Sequence, residues 1–282
     1  MSGIKPTALH IHFWADIRNS AGSVEKVISA FASHGEKYRH LIACCPTEPD
    51  VPASFSHHGV EVFTFRESRW ANRVLNKILR LDAFTYHALV DLINRLRPDV
   101  LHFHNRQELV DAVVNRLAYR PGVLVHYHRH FRMPVIPACA DRLLFISQRT
   151  AHDIIGKAGN GKPASIVFNP LSLEVLEHSR RLVASRLAGE PPVIVFGGGG
   201  NPIKGGAELL AAFKQLPAGM AKLVLAGRNV EKLCDNSPPG VEVLGEVPAA
   251  KFFELMQSAD IVAMPSYDEP FGLIAKEAML LG

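Results

Sequence analysis

The chain has 282 residues, 48% of them hydrophobic and 21% charged, and its formal net charge is +4 at pH 7. A chain of this length and composition is expected to form two domains with sizeable cores, which excludes an intrinsically disordered protein. The weakly positive charge is compatible with anionic ligands or an anionic membrane surface, and we predict no binding to nucleic acid.

Short strand-like runs alternate with helical patterns through the amino-terminal part of the chain. The predicted strands are residues 9–14, 39–44, 60–65, 100–103, 123–127, 142–146 and 165–168. The predicted helices are residues 23–33, 69–81, 83–96, 108–117 and 148–158. This alternation is typical of a parallel sheet covered by helices on both faces, so an α/β fold is predicted.

A second series of elements begins after the Gly/Pro-rich segment 187–192. Its predicted strands are residues 193–196, 222–226, 241–244 and 261–264, and its predicted helices are residues 208–216 and 250–258 and a last one that begins near Gly272. We therefore predict two domains, residues 1–188 and 189–282. Ligands of such sheets bind beside the carboxyl ends of the strands, so the loops after residues 196 and 264 are expected to face one crevice.

The cysteines and the amino terminus bear on localisation. The four cysteines show no C-x-x-C spacing and include the vicinal pair Cys44 and Cys45, so neither a zinc site nor a disulfide framework is predicted. His10 and His12 interrupt the first apolar stretch, and no stretch approaches about 18 uninterrupted apolar residues. We predict a cytoplasmic protein with no export signal and no membrane span.

Two carboxylates flank a Pro-Phe-Gly turn near the end of the chain. Pro270 and Gly272 break the preceding segment, so a helix is expected to begin near Gly272 with its first backbone N–H groups unpaired, an arrangement that attracts phosphate. Glu277 would lie roughly 7.5 Å along that helix at 1.5 Å per residue, and Glu269 would stay on the loop. This pattern suits a phosphate with hydroxyl groups around it, as in a sugar nucleotide, and the alternative is an ordinary loop followed by a solvated Glu277.

The glycine-rich loop 197–205 has the sequence GGGGNPIKG. It is not a P-loop, because Lys204 is not followed by Ser or Thr, and it is not a dinucleotide fingerprint, because Pro202 stands where the third glycine is needed. The interpretation that remains is a diphosphate cradle, in which backbone N–H groups of glycines such as Gly199 and Gly200 approach the ligand and Lys204 supplies a positive charge. The alternative is a flexible turn with a solvated lysine.

Histidines alternate along two predicted strands and their ends. His102 and His104 share one face of the first strand, and His126, His128 and His130 share one face of the second. A metal site is one interpretation, but no convergent carboxylate ligands are evident in the sequence nearby. We predict no metal site and expect most of these residues to be packed or surface histidines, with only His128 functional.

Cations recur at helical spacing in the segment 66–80. They are Arg66, Arg69, Arg73, Lys77 and Arg80, with intervals of three, four, four and three residues. A helix with this face would contact an anionic bilayer, or guide a charged lipid-linked acceptor, through Arg69, Arg73, Lys77 and Arg80. The alternative is a solvated face above a core-facing stripe.

The chain resembles the family 4 retaining glycosyltransferases of the GT-B fold. The motifs that carry the resemblance are, in chain order, RPDVLHFHN, VLVHYHRHF, DRLLFISQRT, IVFNP, FGGGGNPIKGGAELLAAF and GEVPAAKFFELMQSADIVAMPSYDEPFGLIAKEAML, the last of which contains the E-x7-E signature. The resemblance spans nearly the whole chain and is most specific over residues 193–282. It implies two Rossmann-like doubly wound parallel-sheet domains facing a cleft, and an incomplete second domain, because the family normally continues with further strand–helix units.

The resemblance also implies a role for particular residues. Lys204 would bind the donor diphosphate, Glu277 would accept a hydrogen bond from the nucleotide ribose, and Glu269 would contact hydroxyls of the transferred sugar. The other implied donor-binding groups are Gly22, which lets the amino domain approach the phosphates, and the backbone N–H groups of Phe271, Gly272 and Leu273. His128 would lean over the donor sugar, so His128 and Glu269 are the candidate catalytic residues.

The implied reaction is transfer of a sugar from a nucleotide-sugar donor to a glycan, lipopolysaccharide or lipid-linked acceptor in polysaccharide biosynthesis. The family retains the anomeric configuration without a metal or other cofactor, by front-face attack in which the leaving diphosphate helps deprotonate the acceptor. The protein would be cytoplasmic or peripheral on the cytoplasmic face of the membrane. Gly199 stands where the family usually has an arginine, so one bidentate contact to the diphosphate is missing.

Three other functions remain open. A non-catalytic sugar-nucleotide-binding or scaffold protein would account for the missing arginine. A glycoside hydrolase would use Glu269 and Glu277 as acid and base, but these residues look placed to hold a donor rather than to straddle a scissile bond. An oxidoreductase is the least favoured, because the dinucleotide fingerprint is absent.

Overall fold

The structure is a computed structural model, and it describes residues 5–13, 17–18, 23–46, 48, 50–66, 86–159, 161–180, 189–234 and 238–282. The chain divides into two compact units, Met1–Pro170 and Leu171–Gly282. Among the described residues, no helix has the length and apolar character needed to cross a bilayer.

The first unit contains an eight-stranded sheet with the strand order β3-β4-β2-β1-β5-β6-β7-β8. The strands are β1 (Thr7–His12), β2 (Arg39–Cys44), β3 (Ser54–His57), β4 (Val60–Thr64), β5 (Val100–His104), β6 (Gly122–Tyr127), β7 (Arg142–Phe145) and β8 (Ala164–Ile166). The helices are α1 (Ser23–His34), α2 (His87–Leu96), α3 (Val110–Val114) and α4 (Gln148–Ala158). All neighbouring strands pair in parallel except β3 and β4.

The strands predicted for this unit are all present, with small differences at their ends. β3 was not predicted, because SFSH has no continuous apolar run; it pairs antiparallel with β4 through the turn at His58 and Gly59, both of which have positive φ. The predicted helix 108–117 is shorter in the structure, where a 3-10 turn (Gln107–Leu109) leads into α3. The predicted helix 69–81 lies outside the described residues, as do residues 83–85 of the helix that continues as α2.

The alternation of side chains along the central strands separates an apolar face from a histidine face. In β5, Leu101 and Phe103 are fully buried in the main core cluster. Their neighbours His102 and His104 point to the opposite face, because successive side chains of a strand alternate. The same alternation in β1 and β6 brings the imidazoles of three adjacent strands together on one face of the sheet.

The second unit contains a four-stranded sheet with the order β11-β10-β9-β12. Its elements are α5 (Leu173–Ser179), β9 (Val193–Phe196), α6 (Gly206–Phe213), β10 (Lys222–Ala226), β11 (Val241–Gly245), α7 (Ala249–Ser258), β12 (Ile261–Ala263) and α8 (Leu273–Leu281). The strands pair in parallel. Because β10 and β11 lie on one side of β9 and β12 lies on the other, the topology switches between β9 and β12, where ligands of such sheets bind.

The boundary between the two compact units falls between Pro170 and Leu171, earlier in the sequence than the predicted boundary between residues 188 and 189. Helix α5, which the sequence analysis did not predict, packs with α7 and α8 in the second unit. The Gln257 side-chain amide donates to the His178 carbonyl at 2.8 Å, and Val175 belongs to a core cluster with Phe253 and Met256. These long-range contacts assign residues 171–180 to the second unit, and the sequence offers no local signal for them.

Phe196, at the end of β9, supports the glycine-rich loop. Its side chain is 1% exposed, and a Cβ placed on Gly198 would lie 2.4 Å from Phe196 Cζ. We expect Phe196→Ala to lower the free energy of unfolding by about 3–5 kcal/mol, because the substitution leaves a cavity under the loop. Chemical denaturation measures this change. Met279→Ala, at a side chain that is 83% exposed, is the control and is expected to change the stability by less than about 0.5 kcal/mol.

Candidate functional site

The candidate site lies where β9 and β12 end side by side. The glycine-rich loop follows β9 and the acidic motif follows β12, so the two loops meet at one edge of the sheet, as predicted. The Tyr267 amide donates to the Ile203 carbonyl at 2.9 Å, which ties the loops together through their backbones. A Cβ on Gly205 would lie only 2.1 Å from the Pro265 carbonyl oxygen, so this approach requires glycine.

Lys204 and Glu269 form an ion pair across these loops. Lys204 Nζ lies 2.7 Å from Glu269 Oε2, and the two side chains are 29% and 24% exposed. Asn201 positions the lysine, because its side-chain oxygen accepts from the Ile203 amide at 3.2 Å and caps the short turn Pro202–Lys204. Two of the charged groups that the resemblance implies bind the donor are therefore in direct contact.

Glu269 also accepts hydrogen bonds from the start of α8. The Gly272 amide donates to Glu269 Oε1 at 3.1 Å, and Gly272 has the positive φ of 76° that lets it cap the helix. Helix α8 begins at Leu273, as predicted, but the expectation that its first N–H groups are unpaired is wrong for Gly272. A carboxylate three residues earlier caps that amide, so Glu269 occupies the position in which an anionic ligand was expected.

This environment lowers the pKa of Glu269 from its ordinary value of 4.5. Burial acts in the opposite direction and raises the pKa, but the hydrogen bond and charge of Lys204, together with the amides of Gly272 and Phe271, outweigh it. The ionised carboxylate is therefore the form that the folded state favours.

A pH dependence of stability follows from this pKa. Because the folded-state pKa of Glu269 is depressed, its contribution to stability is present above pH 4.5 and is lost as the pH falls through the lower folded value. We expect the wild-type protein to lose more stability than Glu269→Gln on acidification below about pH 4.5. Urea denaturation of both proteins across this range measures the difference, and parallel pH profiles would contradict the assignment.

Glu277 and Lys276 lie on the first turns of α8. Glu277 is 4% exposed, so the alternative of a solvated glutamate is wrong. Lys276 Nζ donates to the Phe271 carbonyl at 2.6 Å and lies 3.6 Å from the centroid of the Phe271 ring. No role for Lys276 was predicted from the sequence. Lys276 fixes the conformation of the turn before the helix. Its position five residues after Phe271 was the sequence signal that could have indicated this contact.

Gly199 and Gly200 pack against the loop after β10. The Gly199 amide donates to the Ala226 carbonyl at 3.2 Å and the Gly200 amide donates to the Arg228 carbonyl at 3.0 Å. The prediction that these two N–H groups face a diphosphate is therefore not supported, because both are already hydrogen bonded within the protein. A Cβ on Gly199 would lie 2.5 Å from the Arg228 carbonyl oxygen, and Gly199 has a φ of 60°. The arginine that the resemblance implies has no room at this position.

We expect Gly199→Ala to destabilise the second unit by at least about 1 kcal/mol, through backbone strain and the clash with Arg228. Gly219→Ala is the matched control, since Gly219 also has a positive φ, of 78°, but a Cβ there meets nothing within 4 Å. Denaturation of the two variants separates the clash from the strain. Equal losses of stability would show that the contact between the loops is unimportant.

Histidines of the first unit form a buried cluster. The rings of His10, His102, His104, His126 and His128 are each at most 7% exposed. Burial is the main cause that lowers their pKa, to about 3 for His102 and His128, so the rings are neutral near pH 7. His130 stands apart from them and pairs with Asp153 of α4 at 3.3 Å.

Two triplets in this cluster have ring nitrogens within 4.8 Å of one another, namely His10, His102 and His104, and His104, His126 and His128. Two ring pairs in these triplets are stacked, with interplanar angles of 29° for His10 and His104 and 21° for His104 and His128. Ring nitrogens of these two stacked pairs are joined by hydrogen bonds of 3.1 Å and 2.9 Å.

Two sets of predicted residues lie outside the described residues. One is Gly22 of the first strand–helix turn. The other is the basic helix with Arg69, Arg73, Lys77 and Arg80. Their predicted roles stay predictions.

Known proteins resemble this chain in sequence, and solved structures share its fold. Residues 181–282 match the family model described as glycosyl transferases group 1. Curated relatives named D-inositol 3-phosphate glycosyltransferase, from Mycobacterium bovis and Mycobacterium tuberculosis, are 33% identical over 161 residues. This match covers 51% of the chain and 33% of the relatives, so the chain spans about a third of their length.

Solved structures of glycosyltransferases show that the fold is GT-B, an α/β fold with parallel sheets. Sucrose-phosphate synthase from Thermosynechococcus elongatus superposes with a TM-score of 0.71 at 18% identity, covering 98% of this chain and 79% of that one. The structure described as trehalose-6-phosphate from Escherichia coli, bound with UDP-2-fluoro glucose, has a TM-score of 0.69 at 12% identity and covers 97% of this chain and 81% of that one. Anabaena HepE in complex with UDP and glucose has a TM-score of 0.63 at 18% identity and coverages of 97% and 78%.

Proposed function

We propose that the protein is a glycosyltransferase that moves a sugar from a nucleotide-sugar donor to a glycan, lipopolysaccharide or lipid-linked acceptor. The observation that carries the proposal is the contact between Lys204 and Glu269 at the switch between β9 and β12. This arrangement combines a cation and a helix amino terminus, which together favour a phosphate, with a carboxylate that accepts hydrogen bonds from sugar hydroxyls.

Donor binding in this proposal begins with an exchange of anions. Glu269 now accepts from Lys204 and from the Gly272 amide, which are donors that a diphosphate would use. A diphosphate has more charge and more acceptor oxygens than a carboxylate, so it displaces Glu269 from these donors. The released carboxylate then accepts from hydroxyls of the sugar, while the buried Glu277 accepts from the ribose.

The proposed chemistry is positioning and stabilisation of charge. Lys204 and the amide groups at the start of α8 stabilise the negative charge that grows on the leaving diphosphate. Retention of configuration and independence from a metal are proposed from the resemblance, with the diphosphate oxygen taking the acceptor's proton. His128, neutral because burial lowers its pKa to about 3, would hydrogen bond to the sugar and would not act as a permanent positive charge.

UDP-sugars are the first donors to test. One of the similar structures is a complex with UDP and glucose, and another is bound with UDP-2-fluoro glucose. Thermal-shift screening against UDP-, GDP- and ADP-glucose and CMP derivatives is expected to give one preferred nucleotide, since a ligand stabilises the fold in proportion to its occupancy. Proton NMR of the product then reports whether the anomeric configuration is retained. The absence of any stabilising nucleotide would refute the proposal.

A sugar-nucleotide-binding protein without turnover is the second candidate. The observation that favours it is the glycine-rich loop, where the amides of Gly199 and Gly200 are occupied and the expected arginine is replaced by a glycine that tolerates no side chain. This loop offers fewer groups to stabilise a leaving diphosphate. Tight nucleotide binding with no release of UDP in the presence of acceptor extracts would favour this candidate. Acceptor-independent release of free sugar would instead favour a hydrolase.

We also propose a cytoplasmic location with peripheral contact to anionic membranes through Arg69, Arg73, Lys77 and Arg80, from the helical spacing of these cations in the sequence. Sedimentation with liposomes tests this contact. Equal partitioning to neutral and anionic vesicles would exclude it.

A further inference from the structure

Four histidines of the first unit form a continuous hydrogen-bonded chain across four neighbouring strands, β2, β1, β5 and the end of β6. His40 Nδ1 lies 2.8 Å from His10 Nε2, His10 Nδ1 lies 3.1 Å from His104 Nε2, and His104 Nδ1 lies 2.9 Å from His128 Nε2. Every link therefore joins the Nδ1 of one ring to the Nε2 of the next. His10, His104 and His128 are buried, and His40 is partly exposed.

Because every link has the same direction, it restricts which nitrogen of each ring can carry the proton. A neutral imidazole carries one N–H and one lone pair, so each link needs the N–H on one side only. If His40 donates through Nδ1, then His10 and His104 must also donate through Nδ1, and His128 keeps its proton on Nδ1. The only other consistent arrangement has all four protons on Nε2. A single ring out of step would leave one link with two protons or two lone pairs in a buried position.

We expect Asn169 to select between these two arrangements. His128 Nδ1 and Asn169 Oδ1 are both buried, and neither atom makes a fully formed hydrogen bond with any described residue. Burial lowers the pKa of His128, and Asn169 has a smaller effect that raises it. An acceptor oxygen that faces an imidazole N–H has this effect. An acceptor at this end favours the Nδ1–H form of His128.

We propose that His40, His10, His104 and His128 are a tautomer-coupled proton relay, in which Asn169 holds all four rings in the Nδ1–H form. When a ligand group accepts the His128 Nδ1 proton, each ring passes its own Nδ1 proton to Nε2 of the next ring, and His40 takes a proton from solvent at Nε2. Four N–H bonds break at Nδ1 and four form at Nε2, so one proton enters and one leaves. No ring needs to hold a positive charge if the shift is concerted.

A metal site is the competing use of the same nitrogens. Imidazoles that coordinate one ion direct their lone pairs at a common point. Here the linked rings are stacked at 21° and 29°, and each nitrogen of the chain faces a single partner nitrogen. The geometry therefore fits shared protons better than a shared ion. The inference does not depend on the proposed transferase function, although it bears on His128, which that function uses.

Tautomers are measured by long-range 1H–15N correlation spectra of protein labelled with 15N-histidine. The wild-type protein is expected to show the Nδ1–H form in all four rings at neutral pH. Asn169→Leu removes the acceptor, and we expect it to change the tautomer ratio roughly fivefold, which corresponds to about 1 kcal/mol, the net worth of one hydrogen bond. The same change is expected at His40, at the far end of the chain.

Two further variants and an internal control keep this test specific. Asn169→Asp retains an acceptor oxygen and is expected to retain the Nδ1–H form throughout, while His10→Phe, combined with Asn169→Leu, is expected to abolish the response of His40. His34, whose Nδ1 lies 2.7 Å from the Ala30 carbonyl outside the chain, should not respond in any variant. A change at His128 without a change at His40 would overturn the relay. Stoichiometric binding of Zn²⁺ by these rings would also overturn it, in favour of a metal site.

Discussion

Lys204→Ala is expected to abolish stabilisation by the preferred nucleotide sugar and to lower kcat/KM for sugar transfer by roughly 10²–10³-fold, the usual cost of removing one group that stabilises developing charge. Lys204 Nζ is the cation at the edge of the sheet where β9 and β12 end, held there by Glu269 at 2.7 Å. Without it, both the ground-state diphosphate and the leaving diphosphate lose a charge-assisted contact. Thermal-shift titration and steady-state kinetics measure the two effects.

Lys214→Ala is the control for this prediction, since Lys214 is an exposed lysine at the end of α6. It should leave both the ligand-induced thermal shift and the rate unchanged. Lys204→Arg tests geometry, because it keeps the charge but replaces a compact ammonium by a planar group in a loop fixed by Asn201. A normal ligand-induced thermal shift in Lys204→Ala would contradict the proposal that this loop binds the donor diphosphate.

Glu269→Gln is expected to have opposite effects on the bare nucleotide and on the reaction. The carboxylate competes with a diphosphate for Lys204 and for the Gly272 amide, so its neutral isostere should let UDP bind several-fold more tightly. The same substitution weakens the acceptor for sugar hydroxyls, so transfer should fall by roughly 10²-fold. Calorimetric titration with UDP and a transfer assay measure the two changes.

The matched control is Glu254→Gln. Glu254 forms an exposed pair with Lys251 at 3.2 Å in the same unit, and surface pairs of this kind have little energetic effect. It should change neither UDP affinity nor transfer. Weaker UDP binding by Glu269→Gln would mean that the carboxylate supports the diphosphate site and does not compete for it.

Much of the fold was predictable from local sequence patterns. Residues 39–44, 193–196 and 222–226 have continuous β-type runs, and the structure has strands with those bounds. Helix α4 was also predicted with its bounds, because Ser147 caps its start and Gly159 ends it. Strand β3 was not predicted, because it has no continuous apolar run and is held by its pairing with β4. Helix α5 was also missed, although Ser172 caps its start and was an available local signal.

The residues of the candidate site could be predicted from the sequence, but the hydrogen bonds and ion pairs among them could not. The spacing of Lys204 and Glu269 along the chain does not reveal their contact, which depends on β9 and β12 being neighbours. The hydrogen bonds of the Gly199 and Gly200 amides depend on the approach of residues 226–228, which are distant in sequence. Side-chain choices such as the capping of Gly272 by Glu269 follow from three-dimensional packing and leave no periodic signal.

The most direct test of the account is a crystal structure of the protein with the nucleotide sugar that gives the largest thermal shift. We predict that the diphosphate lies against Lys204 and the amino-terminal end of α8, with Glu269 released from Lys204 and turned towards the sugar. A nucleotide bound elsewhere, or bound while Lys204 and Glu269 remain paired as they are here at 2.7 Å, would contradict it.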